Sequence, residues 1–237
     1  ELAELIWKIF TANPFWGRHR IAMTVLGLNI FVAASTVRNI LLAPRPCKVS
    51  AVAEKRSEKT ASSGIVARYP NHVWSVDRTK VYRWGIWPTW VLIAIDHYSR
   101  KLMVNAVLEG ANAGWVVENL GNAFTTYGSP KYLISDQENV FTSSAFRELL
   151  MNSGVSHRFG AVGKHGSIAV TERVILTLKQ EWLRRIPLIC GFDHLTSLLD
   201  SFTDYYNNWR GHTTLEGATP TVLYLKQHWK RPEKTAK

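Results

Sequence analysis

Three acidic residues in this 237-residue chain stand where they could act together: Asp77, Asp136 and Glu172. Asp77 lies in the β-prone run Trp74-Ser75-Val76-Asp77-Arg78-Thr79, Asp136 directly follows the run 132–135, and Glu172 falls in the first turns of a helical stretch. Between Asp136 and Glu172 lie 35 residues. Carboxylates at strand ends and on a nearby helix converge at one edge of a sheet. There they offer the hard oxygen ligands that two Mg2+ or Mn2+ ions, roughly 3.5–4 Å apart, require. Such ions assist the attack of a water or hydroxyl oxygen at phosphorus, one activating the nucleophile and the other stabilising the leaving oxygen. Without metal, three gathered carboxylates repel one another and make poor structural choices. Taken singly, each has a plainer reading: an Asp after a strand is commonly a turn former or helix cap, and Glu172 an exposed helix residue. The joint spacing carries the inference.

The elements that must position these residues follow from the pattern. Residues 73–80, 90–96 and 101–107 are three β-prone runs separated by turn residues, which predicts an antiparallel meander. A helix over 113–127 stops at Gly128-Ser129-Pro130, and the run 131–135 reads as a buried strand. A helix over 143–152 ends at Gly154, 155–159 is a short strand, and the glycine-bearing loop 160–166 leads into a long helix over 167–185. A final helix covers 193–208. The order βββαβαβα indicates an α/β fold, a mixed sheet flanked by helices.

Upstream, residues 2–42 read as helices. Ala3, Leu5, Ile6 and Phe10 mark an apolar face, and Asn13-Pro14 ends the first helix. A second helix over 17–26 stops at Gly27, expected to be a left-handed turn residue. Ser35 is the expected N-cap of a helix carrying Thr36, Val37, Arg38, Asn39 and Leu42. This layout suits a helix-turn-helix or a plain helical hairpin. Residues 43–70, with Pro44, Pro46 and a Lys/Glu/Ser-rich run, lack apolar periodicity and read as a linker.

Charge points to a polyanion partner. The chain carries 29 Lys and Arg against 18 Asp and Glu, a net +11 with a pI near 9.8. Residues 1–71 hold ten basic and four acidic side chains, so +6 falls in the first third and +5 in the rest. Each phosphate neutralised by such a surface releases condensed counterion. The two cysteines, Cys47 and Cys190, make no metal-binding spacing and no disulfide framework, which suits a reducing cytosol. The most apolar stretch, 21–34, is too short to span a bilayer, and no membrane role is expected. The start at Glu1, with no Met and no signal-peptide layout, is expected of a fragment boundary.

Several motifs now resemble one family. Trp74-Ser75-Val76-Asp77-Arg78-Thr79 is similar to a W-x-x-D-x-T motif, Asp96-His97-Tyr98-Ser99-Arg100 to D-x-x-S-R, and Ser135-Asp136 through Phe141 to S-D-x-G-x-x-F. Gly166-Ser167-Ile168-Ala169 through Glu172-Arg173, with Leu178-Lys179-Gln180-Glu181, resembles G-S-x-A-x-x-E-R…L-K-x-E. Tyr206-Asn207-Asn208-Trp209-Arg210, His212 and Thr219-Pro220 resemble a C-terminal Y-N-x-x-R-P-H…T-P stretch. These are motifs of the DDE integrases and transposases, the group of retroviral integrases and insertion-sequence transposases with D,D-35-E spacing. Asn13-Pro14-Phe15-Trp16-Gly17, Arg20-Ile21 and Ser35-Thr36-Val37-Arg38 are similar to the helix-turn-helix that precedes the core in such transposases.

The resemblance implies a ribonuclease-H-like, mixed five-stranded sheet flanked by helices, preceded by a small helix-turn-helix module. It implies a partial DNA-binding module over 1–42, a linker over 43–70, a catalytic core over 71–210 and a basic C-terminal tail over 211–237. By it, Asp77, Asp136 and Glu172 are catalytic and bind two Mg2+ or Mn2+ ions. Double-stranded DNA, as element ends and target, is the substrate. Lys179, Arg173, Lys164, His165, Arg38, Thr36 and Arg20 are the implied DNA contacts, with a solvated surface lysine as the plainer reading of Lys179. Asp96 is expected to be structural, organising the turn before Ser99 and Arg100. A homo-oligomer on DNA and a cytoplasmic, nucleoid-associated location are also implied.

Three positions depart from the family pattern. Glu138 stands where glycine is usual, which removes a residue tolerant of positive φ and adds a fourth carboxylate near the metals. Leu176, four residues after Glu172, replaces a basic or polar residue, and Gly211 replaces the proline expected before His212. Two readings therefore stand beside an active recombinase. One is an inactive DNA-binding relic or domesticated regulator, and the other a nuclease that cuts without joining, which the upstream helices argue against.

Overall fold

Alternation of side chains along residues 73–108 produces three antiparallel strands: β1 (Val73–Arg83), β2 (Trp87–Asp96) and β3 (Leu102–Leu108). The computed structural model describes residues 2–28, 30–42, 66–110, 112–160, 168–215 and 217–226. After β3 come α4 (Ala113–Tyr127), β4 (Tyr132–Ser135), the short α5 (Asn139–Thr142), α6 (Ser144–Asn152) and β5 (Ser156–Phe159). Then follow α7 (Ala169–Thr177) and α8 (Phe192–Asp204). The five strands lie in the order β3-β2-β1-β4-β5, with β4 parallel to both β1 and β5. The sheet is mixed, as expected. α5 was not legible in the sequence pattern.

The sheet is buried on both faces. Trp74, Val76, Leu92, Ala94 and Val104 pack with Val116, Leu120 and Phe124 of α4 and with Phe146 and Leu150 of α6. On the other face Val81, Val91, Ile93 and Ile95 pack with Val174 of α7 and Leu195, Leu199 and Phe202 of α8. Along β1 and β2, residues of odd and even number therefore serve different cores, the consequence of a side-chain period of two.

The long helix expected over 167–185 changes pitch part-way. α7 runs into a π-helical turn, Leu178–Trp182, and then a 3-10 turn, Leu183–Arg185. Val174, Leu178 and Leu183 are all buried, at spacings of four and five residues. A uniform α-helix would rotate the third of these off the core face, and a wider turn brings it back. α8 likewise ends in a π-helical turn, Tyr205–Trp209, which buries both Tyr206 and Asn207. Asn207 Oδ1 accepts from the Leu102 amide (2.8 Å) and its Nδ2 donates to the Leu102 carbonyl (3.0 Å). One side-chain amide thus satisfies both backbone groups on the outer edge of β3, where no further strand pairs.

Residues 220–226, expected within a basic tail, form a helix, α9 (Pro220–Lys226), with Tyr224 buried in the α4-side core. The Tyr224 hydroxyl donates to the Tyr127 carbonyl (3.0 Å). Asn71 (φ +61°) donates to that same carbonyl (2.7 Å) and to the Tyr224 hydroxyl (3.0 Å). With Lys226 its one charge, this segment joins the core through an apolar helical face and a hydroxyl with a partner.

A second compact unit holds α1 (Leu2–Ala12), α2 (Arg18–Leu26), α3 (Ala34–Leu42) and a 3-10 turn, Thr213–Leu215. Ile6, Ile21, Ala22, Val25, Val32 and Val37 form its core. Two expectations for it are corrected. Gly27 is right-handed (φ −60°, ψ −17°), with its N–H on the Met23 and Val25 carbonyls, so no left-handed residue ends α2. α3 starts at Ala34, before Ser35, so Ser35 lies inside the helix and is not its cap. The connection between α2 and α3, residues 27–33, exceeds the roughly three- to four-residue turn of a helix-turn-helix. Among the described residues no helix is long and apolar enough to cross a membrane.

Replacing Asn207 by Ala strands a buried N–H and carbonyl on Leu102. The expected loss is roughly 1–3 kcal/mol of unfolding free energy, read from the urea midpoint at constant m. An unchanged midpoint would show that water replaces the amide without cost.

Candidate active site

Strand pairing brings two of the three acidic residues together. β1 and β4 run parallel with partners Val73↔Tyr132, Trp74↔Leu133 and Ser75↔Ile134. Two residues past the last of these pairs, Asp77 and Asp136 hold equivalent places on their chains, and Asp136 is near enough to repel Asp77. Equal spacing from a shared register, and not nearness in sequence, brings this pair near each other.

Glu172 reaches the same end of the sheet through its neighbour. Thr171 and Ser75 are buried, and their hydroxyls are hydrogen-bonded to each other. His97 Nε2 lies 2.8 Å from Ser75 Oγ. Ser75 is two residues before Asp77 on the same strand face, so this hydroxyl cluster ties the first turn of α7 to the strand carrying Asp77. Burial, with a contribution from Arg100, pushes His97 down to about 4, which keeps the ring neutral at physiological pH. Ser75, His97 and Thr171 sit inside the motifs read in the sequence, yet spacing gave no reason to single them out. The available signals were Thr171 directly before Glu172 and Ser75 two residues before Asp77; none pointed to His97.

The electrostatics are those of a crowded anionic site. Asp77 is pushed up to about 6, first by burial and then by repulsion from Asp136, Glu138 and Glu172. The Arg78 amide, donating to Asp77 Oδ1 at 2.7 Å, offsets part of that rise. Asp136 is also raised, by burial and by Glu138, while its Oδ1 accepts from the Glu138 amide at 3.2 Å. Among the described residues no group of three acidic, histidine or cysteine side chains is placed to hold a metal ion. The donor chemistry nevertheless fits a divalent cation: hard carboxylate oxygens, partly desolvated and mutually repelling, are the groups such an ion stabilises.

Glu138 is not loose in the site. Both Nε (2.8 Å) and Nη2 (2.6 Å) of Arg78 donate to its Oε2, and the Arg78 guanidinium lies over the Trp90 ring at 4.6 Å. Its backbone (φ −63°, ψ 146°) is ordinary, so the position does not need glycine. Asp96, fully buried, accepts from the Ser99 amide (2.7 Å), the Ser99 hydroxyl (2.6 Å) and the Asn71 amide (3.0 Å). That is the turn-organising role expected of it.

The remaining sequence candidates are spread over both units. Glu172, Arg173, Leu176 and Lys179 are exposed along one side of α7 and the start of its π-helical turn. Lys164 and His165 lie outside the described residues. Glu181 and Arg210, from separate motifs, are ion-paired (Nη2 to Oε1, 3.3 Å). In the helical unit Thr36 and Arg38 are exposed on α3, and Arg20 is half-buried with its guanidinium 4.1 Å from the Trp16 ring centre.

Comparison with known proteins agrees with this architecture. Two family models, both described as Integrase core domain, match residues 67–165 and 153–220. The uncharacterized protein K02A2.6 of Caenorhabditis elegans is 28% identical over 137 residues, 57% of this chain, but the match spans only 10% of that protein. A putative transposase for insertion sequence element IS986/IS6110 of Mycobacterium tuberculosis is 21% identical over all of this chain and 91% of its own length. Among solved structures, the HTLV-2 integrase catalytic core domain in complex with magnesium, in trimeric form, superposes with a TM-score of 0.54. It is 17% identical, and the match covers 66% of this chain and 97% of that one. The sheet order and flanking helices are thus those of the ribonuclease-H-like integrase core.

The raised Asp77 has a stability consequence. Its folded-state value lies above its unfolded one, so the stability it contributes is present below about pH 4 and lost as pH rises through about 6. In metal-free protein at pH 7.5, Asp77→Asn is therefore expected to stabilise by on the order of 2 kcal/mol, with the gain vanishing near pH 4. Thermal melts at the two pH values, with and without Mn2+, test this. Mn2+ should raise the wild-type melting temperature well above its effect on Asp77→Asn. A variant less stable than wild type at pH 7.5 would contradict the crowding argument.

Proposed function

Because the chain belongs to the DDE integrase/transposase family, whose members carry out DNA integration and transposition, we propose that it cuts and joins DNA through Asp77, Asp136 and Glu172. The observation that carries this reading is the strand register that gives Asp77 and Asp136 equivalent places, with Glu172 tethered to the same strand through Thr171 and Ser75. These three carboxylates would hold divalent ions, as the magnesium complex of the HTLV-2 core suggests. Two bound Mg2+ or Mn2+ ions would activate the attacking oxygen and stabilise the leaving one.

The chain's own residues would do the rest. In the first step a water oxygen bonds to phosphorus at an element end and the bridging P–O3′ bond breaks, which frees a 3′-hydroxyl. In the second, that hydroxyl attacks a target phosphodiester and releases a new 3′-hydroxyl, so phosphodiester bonds are exchanged without a covalent protein intermediate. Positioning dominates catalysis in such displacements. Ser75, Thr171 and the neutral His97 form the buried support that fixes the angle between α7 and β1. Arg173 and Lys179, exposed beside Glu172 on α7, would contact backbone phosphates and orient the DNA end. Arg20, Thr36 and Arg38 would contribute DNA contacts from the helical unit, and Lys164 and His165 from the loop before α7. Joining two ends in one event calls for more than one subunit, and the HTLV-2 core occurs in trimeric and dimeric forms.

The test is nicking and strand transfer on duplex DNA carrying the ends of the encoding element, in Mg2+ or Mn2+, with wild type beside Glu172→Gln. Metal-dependent products are expected from wild type, with a loss of at least about a hundredfold in the variant, a loss of roughly 3 kcal/mol in transition-state stabilisation. Equal product from both proteins, or undiminished product in chelator, would sink the assignment. Binding without any product would favour the inactive DNA-binding reading.

A further inference from the structure

Arg78 and Glu138 are 60 positions apart, and each would be awkward alone. Arg78 is the residue after Asp77 and would bring a buried cation into the core beneath Trp90. Glu138 follows Asp136 by two and adds a negative charge to a site already crowded with carboxylates. Together they neutralise each other. The Arg78 side chain is only 8% exposed, whereas that of Glu138 is 31% exposed.

The pairing is incomplete in an informative way. Nε and Nη2 of Arg78 both converge on one carboxylate oxygen, Oε2, and Nη1 is buried with no hydrogen-bond partner among the described residues. A guanidinium offers five donors in a fixed fork matched to two oxygens of a carboxylate or phosphate. Here one of its prongs is unused. Trp90 holds the plane from one side, with Lys80 Nζ also 4.7 Å from that ring centre. The fork is therefore rigid and preorganised, and its main cover is the carboxylate of a partly exposed side chain. The charges of Arg78 and Glu138 both act on Asp136, and that of Glu138 on Asp77, so the pair borders the place where the scissile phosphodiester would sit if these residues do the chemistry.

We propose that the Arg78 guanidinium is a binding site for a DNA backbone phosphate, and that the Glu138 carboxylate occupies this site in the DNA-free protein as an internal competitor. The inference rests on the DNA cutting-and-joining reading above. When DNA docks, a phosphate displaces Glu138 and sets two oxygens against the Nε/Nη2 edge, while Glu138 swings outward to solvent. The exchange replaces one charge-assisted pair by another, so wild-type affinity carries the cost of evicting Glu138. A glycine at position 138 would leave the fork open.

The experiment is binding of fluorescein-labelled duplex DNA by the full chain, followed by anisotropy in EDTA, so that no chemistry occurs. Glu138→Gln keeps an acceptor for Arg78 but loses the charge, and should bind on the order of tenfold more tightly. The slope of log affinity against log salt should stay as in wild type for Glu138→Gln and fall by about 0.9, one phosphate contact fewer, wherever Arg78 is replaced by Gln. Arg78→Gln alone should bind more weakly than wild type, because it removes the phosphate site and leaves the Glu138 charge unpaired. The double variant should lose the tenfold gain.

A gain that survives in the double variant would mean that Glu138 merely repels DNA at a distance, and would overturn the proposal. So would Glu138→Gln binding like wild type. Should Arg78→Gln melt below the working temperature, Arg78→Lys in the Glu138→Gln background serves instead. Lysine supplies charge without the fork, so most of the gain should disappear, and an undiminished gain overturns the idea. Failure of wild type and every variant to bind DNA would bring down the underlying functional reading together with this one. Wild-type binding with unresponsive variants would bring down this one alone.

Discussion

Like charges carried on neighbouring chains of a sheet repel, and the larger unit packs the elements that carry them into two buried cores. The β1–β4 register gives Asp77 and Asp136 equivalent places, and the buried Ser75–Thr171–His97 contacts fix the helix that carries Glu172. Burial is the first cause of the raised Asp77 and Asp136 carboxyls, and neighbouring carboxylates add to it. The two apolar cores supply the stability that tolerates both, since the sheet is buried on both faces. A less rigid scaffold would relieve the repulsion by letting α7 tilt away. The proposed catalytic geometry is therefore stored as strain between charges, for a cation to relieve.

Much of the remaining architecture holds α7 and α8 in place. Both helices widen into π-helical turns, at Leu178–Trp182 and Tyr205–Trp209, and Glu181 from the first pairs with Arg210 just beyond the second. Trp182 also stacks on Tyr205 with ring centres 5.2 Å apart. Asn207, set inward by the second turn, clasps the outer edge of β3. Residues quoted from two distant motifs thus form one brace on the helical layer behind the carboxylates. Their role is to hold the surface along which Glu172, Arg173 and Lys179 are displayed.

The glutamate that breaks the family pattern is answered by an arginine on the neighbouring strand. A fourth carboxylate near the site would raise the repulsion further if it stood alone. With Arg78 in hydrogen-bond contact, Glu138 is neutralised, and its backbone torsion shows that glycine was never needed there for conformation. The departure therefore does not by itself mark a decayed site. It replaces open space next to Asp136 with a closed ion pair, which changes what a substrate phosphate meets on arrival.

How far the sequence alone reached can be judged from particular residues. The period-two runs gave β1, β2 and β3 with their antiparallel order, and the Gly128-Ser129-Pro130 stop bounded α4 at Tyr127. The helical unit was legible as helices, but Gly27 and Ser35 were assigned end roles that the packing of Val25, Val32 and Val37 overrode. Asp77, Asp136 and Glu172 stood out by their joint spacing and the motifs around them, not by any one position. Their supports did not: Thr171 meets Ser75 across 96 positions, Arg78 meets Glu138 across 60, and Asn207 meets Leu102 across 105. Local patterning fixes which elements form, because hydrogen-bond geometry and side-chain period act over a few residues. Which side chains meet depends on strand register and on how each helix is rotated against the sheet. Those are set by packing of the whole core, and only the tertiary structure decided them.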